Sequence, residues 1–230
     1  MMRRLLLVCL LLVVAERPVM AQSLPETVAI DVLIEPGAPA VSAAQAMNAR
    51  LRSANPAGYA LDAMHAPHIT LVQRYVRRAD LRKVEVAVAA VLAAKRPRAM
   101  KLQARGYTAS DFGGGLLLLD VARTPALDRL AVEVLAAVQP FAVTGGTAAA
   151  FVQDPAGPIQ PGSVTWVENF ATNAAGAKFA PHITIGTAPL AFVKQVAGEP
   201  FVPFTFGVRA VSIYQLGNYG TAARKLWTMH

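Results

Sequence analysis

Two six-residue segments of this chain nearly coincide: Ala66-Pro67-His68-Ile69-Thr70-Leu71 and Ala180-Pro181-His182-Ile183-Thr184-Ile185. Five of the six positions are identical and the sixth is conservative. The chain has four histidines, and two of them occupy equivalent places in this repeat. A fold that accommodates the repeat must contain two similar halves. On a β-strand, side chains i and i+2 share a face. His68 and Thr70 therefore point one way and Ile69 and Leu71 the other. His182 and Thr184 are separated from Ile183 and Ile185 in the same manner. Each segment thus offers one polar face and one core face, and its proline suits a strand start, where a missing N–H does least harm.

The surrounding pattern repeats as well. Strands are expected at 27–34, 67–75, 99–107, 116–122, 163–170, 179–186, 201–216 and 223–229. Helices are expected at 41–53, 79–95, 125–138 and 189–197. Ser42 and Asp80 are candidate caps, and Pro125 opens a helix. Asp111 and the Gly113–Gly115 run read as a turn between two strands rather than a phosphate loop, because no helix with Lys-Ser/Thr follows. Residues 142–162, rich in Gly, Ala and Pro, read as a long surface excursion. In each half a strand and a helix precede the histidine strand, and a helix and a strand follow it.

The N-terminus belongs to a different class of segment. Arg3 and Arg4 precede an unbroken apolar run, Leu5 to Ala15, and Val19-Met20-Ala21 supplies a cleavage context. This is the order of a secretory signal peptide over residues 1–21; its apolar run is too short to span a bilayer as a retained helix, and the rival reading is an uncleaved N-terminal anchor. The expected mature domain is 22–230, exported to a periplasm or the medium, with no membrane insertion after cleavage. Cys9, the only cysteine, lies inside that segment. The expected mature domain therefore has no disulfide, cysteine nucleophile or thiolate metal ligand. The chain carries a formal charge of +8, and removing a segment with three arginines and one glutamate leaves it basic. A basic surface concentrates anions.

Imidazole titrates near neutrality and can accept or donate a proton. Two imidazoles on opposite sides of a phosphorus can divide the work, one deprotonating the attacking oxygen and the other protonating the leaving oxygen. Threonine hydroxyls two residues on can hydrogen-bond the non-bridging oxygens. The candidate catalytic residues are His68 and His182, the candidate phosphate-binding residues are Thr70 and Thr184, and no metal or other cofactor is expected. His65, three residues before His68, does not make a zinc site without acidic or thiolate partners. Arg74, Arg77 and Arg78 follow the first motif and suit either a phosphate screen or a solvated turn. Tyr75 and Tyr107 suit either base stacking or packing.

The paired motifs resemble the 2H phosphoesterase superfamily, named for its two His-x-Thr/Ser motifs, which includes 2′-5′ RNA ligases and cyclic nucleotide phosphodiesterases. Val167–Phe170 and Ile213–Gly217 also look family-like. The resemblance implies an α+β fold with two lobes related by a pseudo-two-fold axis, two antiparallel sheets lining a central groove and helices outside. It implies a substrate with a 2′,3′-cyclic phosphate or a 2′-5′ phosphodiester, a nucleotide or an RNA end. The alternatives are a ligase that runs the reverse reaction and a non-catalytic exported module that binds a nucleotide or sugar phosphate. Which histidine acts as acid and which as base is left open, as is the oligomeric state.

Overall fold

The computed structural model describes residues 23–153 and 157–229. The signal segment read over residues 1–21 and His230 lie outside the described residues. In chain order the elements are β1 (Thr27–Pro36), α1 (Ala38–Ala54), β2 (Ile69–Arg77), α2 (Leu81–Lys95), β3 (Lys101–Ser110) and β4 (Leu116–Val121). There follow α3 (Pro125–Val138), β5 (Ala142–Val143), α4 (Pro161–Ala174), β6 (His182–Thr187), α5 (Leu190–Ala197), β7 (Phe204–Leu216) and β8 (Ala222–Met229). This is an α+β fold, and its strand pairs are antiparallel.

Helical periodicity fixes the helices. In α3 the buried residues are Leu127, Leu130, Ala131, Val134 and Val138, one stripe at helical spacing. Pro125 opens it, and the Thr124 hydroxyl accepts from Leu127 N–H at 3.2 Å. In α2 the stripe is Leu81, Val84, Val88 and Leu92. Asp80 stands at its start but makes no cap bond; its carboxylate takes Lys83 at 2.8 Å and Arg77 at 3.6 Å instead. α1 begins at Ala38 with Gly37 before it, so Ser42 lies inside the helix and is not its cap.

Two further expectations are corrected. Residues 163–170 form helix, not strand: Val-Thr-Trp-Val suggests a strand, but burial falls on Ser163, Val167 and Phe170, the spacing of a helix face. Nor is 142–162 a mere surface excursion. It adds β5 to the edge of β2, and its Ala150, Phe151 and Ile159 pack with Ala29, Tyr75, Val167 and Leu216 in a small second core.

Two sheets result, joined through β7. One has the order β5-β2-β1-β7, with β8 also on β7; the other runs from β7 through β3 and β4 to β6. Residues Phe204–Gly207 of β7 pair with β3, while Val208–Gln215 pair with β1. The repeat is visible in register. Thr70 lies opposite Leu33 with an irregularity between Val32 and Leu33; Thr184 lies opposite Leu118 with one between Leu117 and Leu118.

The helices exchange halves. α1, from the first half, packs on β6 of the second, and α3, from the second, packs on β2 of the first. Buried Asn48 of α1 donates to Ile185 O at 2.8 Å and Tyr59 O at 3.0 Å, and accepts from Leu61 N–H at 3.1 Å. Gly186 makes room for it, since a Cβ there would lie 2.7 Å from the Asn48 amide nitrogen. Asn48→Leu strands these backbone groups and should cost about 1–3 kcal/mol or more, read as a lower urea midpoint. An unchanged midpoint would show that the tie carries no stability.

Candidate active site

The histidines sit where the strands begin. His68 immediately precedes β2 and His182 opens β6. In β6 the residues alternate, with His182 and Thr184 half-buried and Ile183 and Ile185 buried. The preceding Ala-Pro has its own task. His68 Nδ1 lies 2.7 Å from Ala66 O, and His182 Nδ1 lies 2.8 Å from Ala180 O. A carbonyl only accepts, so in both rings Nδ1 carries the proton and donates it. This leaves Nε2 as the working nitrogen of each histidine.

His68, Thr70, His182 and Thr184 all line one cavity of about 510 Å³ between the two sheets. The structure therefore brings the four sequence-derived candidates together. It does not bring the other candidates there. Tyr75 is buried, donates to Val164 O at 2.9 Å and packs edge-on against Phe151. Tyr107 packs edge-on against Phe201. Arg74 is buried and held by Gln73 O at 2.9 Å. Arg77 pairs with Asp80, and Arg78 donates to Leu24 O at 2.7 Å. His65 Nδ1 meets Asp62 at 2.9 Å on an exposed turn. The glycine run is the β3–β4 turn; a Cβ on Gly115, whose φ is +142°, would come within 2.2 Å of Ala188 O.

The cavity also holds residues that sequence reasoning missed. Phe112, Trp166 and Tyr219 line it, and they are the exposed large aromatics among the described residues. Phe112 and Tyr219, from different turns, meet edge to face at 6.2 Å. Tyr219 has a left-handed backbone, φ +57°, held by the Ser163 hydroxyl, which accepts its N–H at 2.9 Å. Lys178 also lines the wall, its ammonium donating to Thr172 O at 2.9 Å. Helical phase in 161–174 is the signal that would have aimed Trp166 at the site.

Beneath His68 lies a carboxyl. Asp31 of β1 is 0% exposed. Its Oδ2 accepts from Thr70 Oγ1 at 2.7 Å and Gln73 Nε2 at 3.1 Å and lies 3.6 Å from His68 Nε2. Its Oδ1 has no hydrogen-bond partner among the described residues. The sequence signal is a lone acid in the apolar run Val28–Ile34. Burial pushes the Asp31 pKa up to about 8, against the hydrogen bonds from Thr70 and Gln73. Burial also brings the His68 pKa down to about 4; the Ala66 carbonyl opposes this, and the charge of His182 adds to it. Burial thus favours the uncharged form of both groups beneath the cleft.

No protein-family model matches the chain, and no curated protein matches it. Among solved structures, TT0787 of Thermus thermophilus superposes with a TM-score of 0.51 at 18% identity, over 87% of this chain and 96% of that one. The chain shares its α+β fold with TT0787. More distant are E. coli LigT in apo form (TM-score 0.43, 13% identity, 89% and 98% covered) and the MHV ns2 PDE domain (0.40, 11%, 86% and 99%).

The two shifts act on stability with opposite slopes. The raised Asp31 pKa contributes stability that is complete below pH 3.8 and is lost as pH rises through about 8. The lowered His68 pKa contributes stability that is present above pH 6.5 and is lost as pH falls through about 4. Asp31→Asn removes the first component alone. The variant should therefore gain on the wild type as pH rises from about 4 to about 8, measured by urea midpoints across that range. A difference constant with pH would contradict the buried, protonated carboxyl.

Proposed function

We propose that the chain is a phosphoesterase that opens a 2′,3′-cyclic phosphate or cleaves a related phosphodiester, using His68 and His182 as an acid–base pair without a metal. One observation carries this reading. The duplicated motifs present two imidazoles of one tautomer and two threonines to a single cavity. A pure binding module has no use for two titrating rings in matched frames.

In the proposed step a water oxygen bonds to phosphorus while His68 Nε2 takes its proton. The bond to one ribose oxygen breaks, and His182, in its imidazolium form, gives that oxygen its Nε2 proton. The product is a phosphomonoester beside a free hydroxyl, and proton exchange with solvent restores the rings. His68 is assigned the base because it is uncharged at neutral pH. Thr70, Thr184 and Lys178 face the charge on the phosphoryl oxygens. The exposed rings of Phe112, Trp166 and Tyr219 suit a nucleobase beyond the phosphate. Export of the mature domain, read from residues 1–21, belongs to the same proposal. Cell fractionation tests it, and recovery of the uncleaved chain in the cytoplasm would refute it.

Purified protein should hydrolyse 2′,3′-cyclic nucleoside monophosphates with chelator present. His68→Ala and His182→Ala should each lower kcat by about 10²–10⁴-fold. Activity that survives either change sinks the mechanism. Inactivity on cyclic nucleotides and 2′-5′ oligomers, with tight nucleotide binding, would favour the non-catalytic reading. Joining of cyclic-phosphate and 5′-hydroxyl RNA ends would assign the reverse reaction. The acid limb of kcat/KM, which reports free-enzyme groups, should lie well below the ordinary histidine value. Trp166→Ala should raise KM for nucleotides by roughly tenfold, the size of one stacking contact, and an unchanged KM would remove the tryptophan from the binding surface.

A further inference from the structure

The repeat does not extend to the residue beneath the motif. Leu33 faces Thr70 and Leu118 faces Thr184, with the same register irregularity just before each leucine. Two residues earlier on the two strands stand Asp31 and Leu116. Asp31 lies opposite Gln73, three residues after Thr70, and Leu116 lies opposite Thr187, three residues after Thr184. The second half therefore has an apolar side chain where the first has a carboxyl. Thr70 is tied to Asp31 at 2.7 Å, and the leucine at the matching place offers Thr184 no such acceptor.

That tie sets what Thr70 can do. A threonine hydroxyl has one proton. If Asp31 is ionised, Thr70 donates that proton to Oδ2 and can only accept from the cleft. It then presents lone pairs to an anionic phosphate. If Asp31 holds a proton on Oδ2, the carboxyl donates to Thr70 Oγ1 over the same distance. The threonine proton is then released toward the substrate.

We propose that Asp31 is a positioning residue that acts by holding a proton: protonated, it turns the Thr70 hydroxyl into a donor for the substrate phosphate, and ionised, it withdraws that donor. This rests on the phosphoesterase reading of the cleft. The surroundings of Asp31 favour the protonated form at neutral pH. Burial drives its pKa to about 8, and the groups that oppose this are the neutral Thr70 and Gln73. Its Oδ1 has no hydrogen-bond partner among the described residues. From β2 it faces Thr70 and Gln73, and from the residue before that strand His68; Arg74 is held by Gln73 O and Gln139. From β7 its register partner is Tyr214, whose hydroxyl donates to Glu35 at 3.3 Å. Glu35 is neutralised by Arg209 and Lys225. Across the cleft stand His182 on β6 and Lys178.

The test is the pH dependence of KM for a 2′,3′-cyclic nucleotide, whose single charge does not titrate in this range. In the wild type KM should rise by about tenfold across pH 8, the loss of one hydrogen bond to a charged group, with a smaller change in kcat. Asp31→Asn, which cannot ionise, should abolish that rise, and so should Thr70→Val. A merely structural carboxyl would leave the pH profile unmoved. A rise that persists in folded Asp31→Asn overturns the proposal. A substrate-free reading comes from ¹³C NMR titration of the Asp31 carboxyl. Retention of its proton at pH 7 supports the proposal, and an ionised carboxyl at pH 7 overturns it. Wild-type protein with no turnover would refute the phosphoesterase reading, and the NMR titration would still decide the state of Asp31.

Discussion

The backbone hydrogen bonding of β7 holds the molecule together. Its first residues pair with β3 and the rest with β1, so one strand belongs to both sheets. Side-chain packing alone positions lobes only as well as an interface is complementary. A shared strand fixes them by peptide geometry, with rises and hydrogen-bond lengths that vary by tenths of an ångström. The cleft between the histidines inherits that precision. The exchanged helices add to it, because α1 bonds to the β6 backbone through Asn48 and α3 covers β2.

On this frame the repeated Ala-Pro-His-Ile-Thr unit acts as a small machine part. The alanine carbonyl chooses the tautomer, the isoleucine anchors the strand in the core, and the threonine follows on the face of the histidine. Burial then differentiates the copies. His68 lies over a carboxyl and has 13% of its side chain exposed, whereas His182 sits on a strand at the open side of the cleft. Burial favours the uncharged forms of Asp31 and His68 at the cleft floor, a setting in which a bound anion is not opposed by a fixed carboxylate.

Much of this is legible in the sequence because strand and helix periods are local. The helix over 125–138 is read to its ends from Pro125 and its leucine stripe. Duplication marks the four motif residues. What the sequence conceals is non-local. Residues 163–170 are rich in β-formers, yet their buried side chains Ser163, Val167 and Phe170 fall at the spacing of a helix face. Phe151 and Ile159 find a core only because β5 joins β2. Asp31 stands out as an acid in an apolar strand, but its place under Thr70 depends on β1–β2 register and an irregularity that composition does not announce.

The exchange of α1 and α3 bears on how such a chain could have arisen. A single half, strand-helix-strand-helix-strand, would leave its own sheet without the helix it sends across. Two copies of one half, each lending its first helix to the other, would cover both sheets and assemble both motifs around one cleft. Fusion of a swapped homodimer thus yields this topology in one step. A fused chain can hold a carboxyl at Asp31 and a leucine at Leu116, a difference that a pair of identical copies could not have.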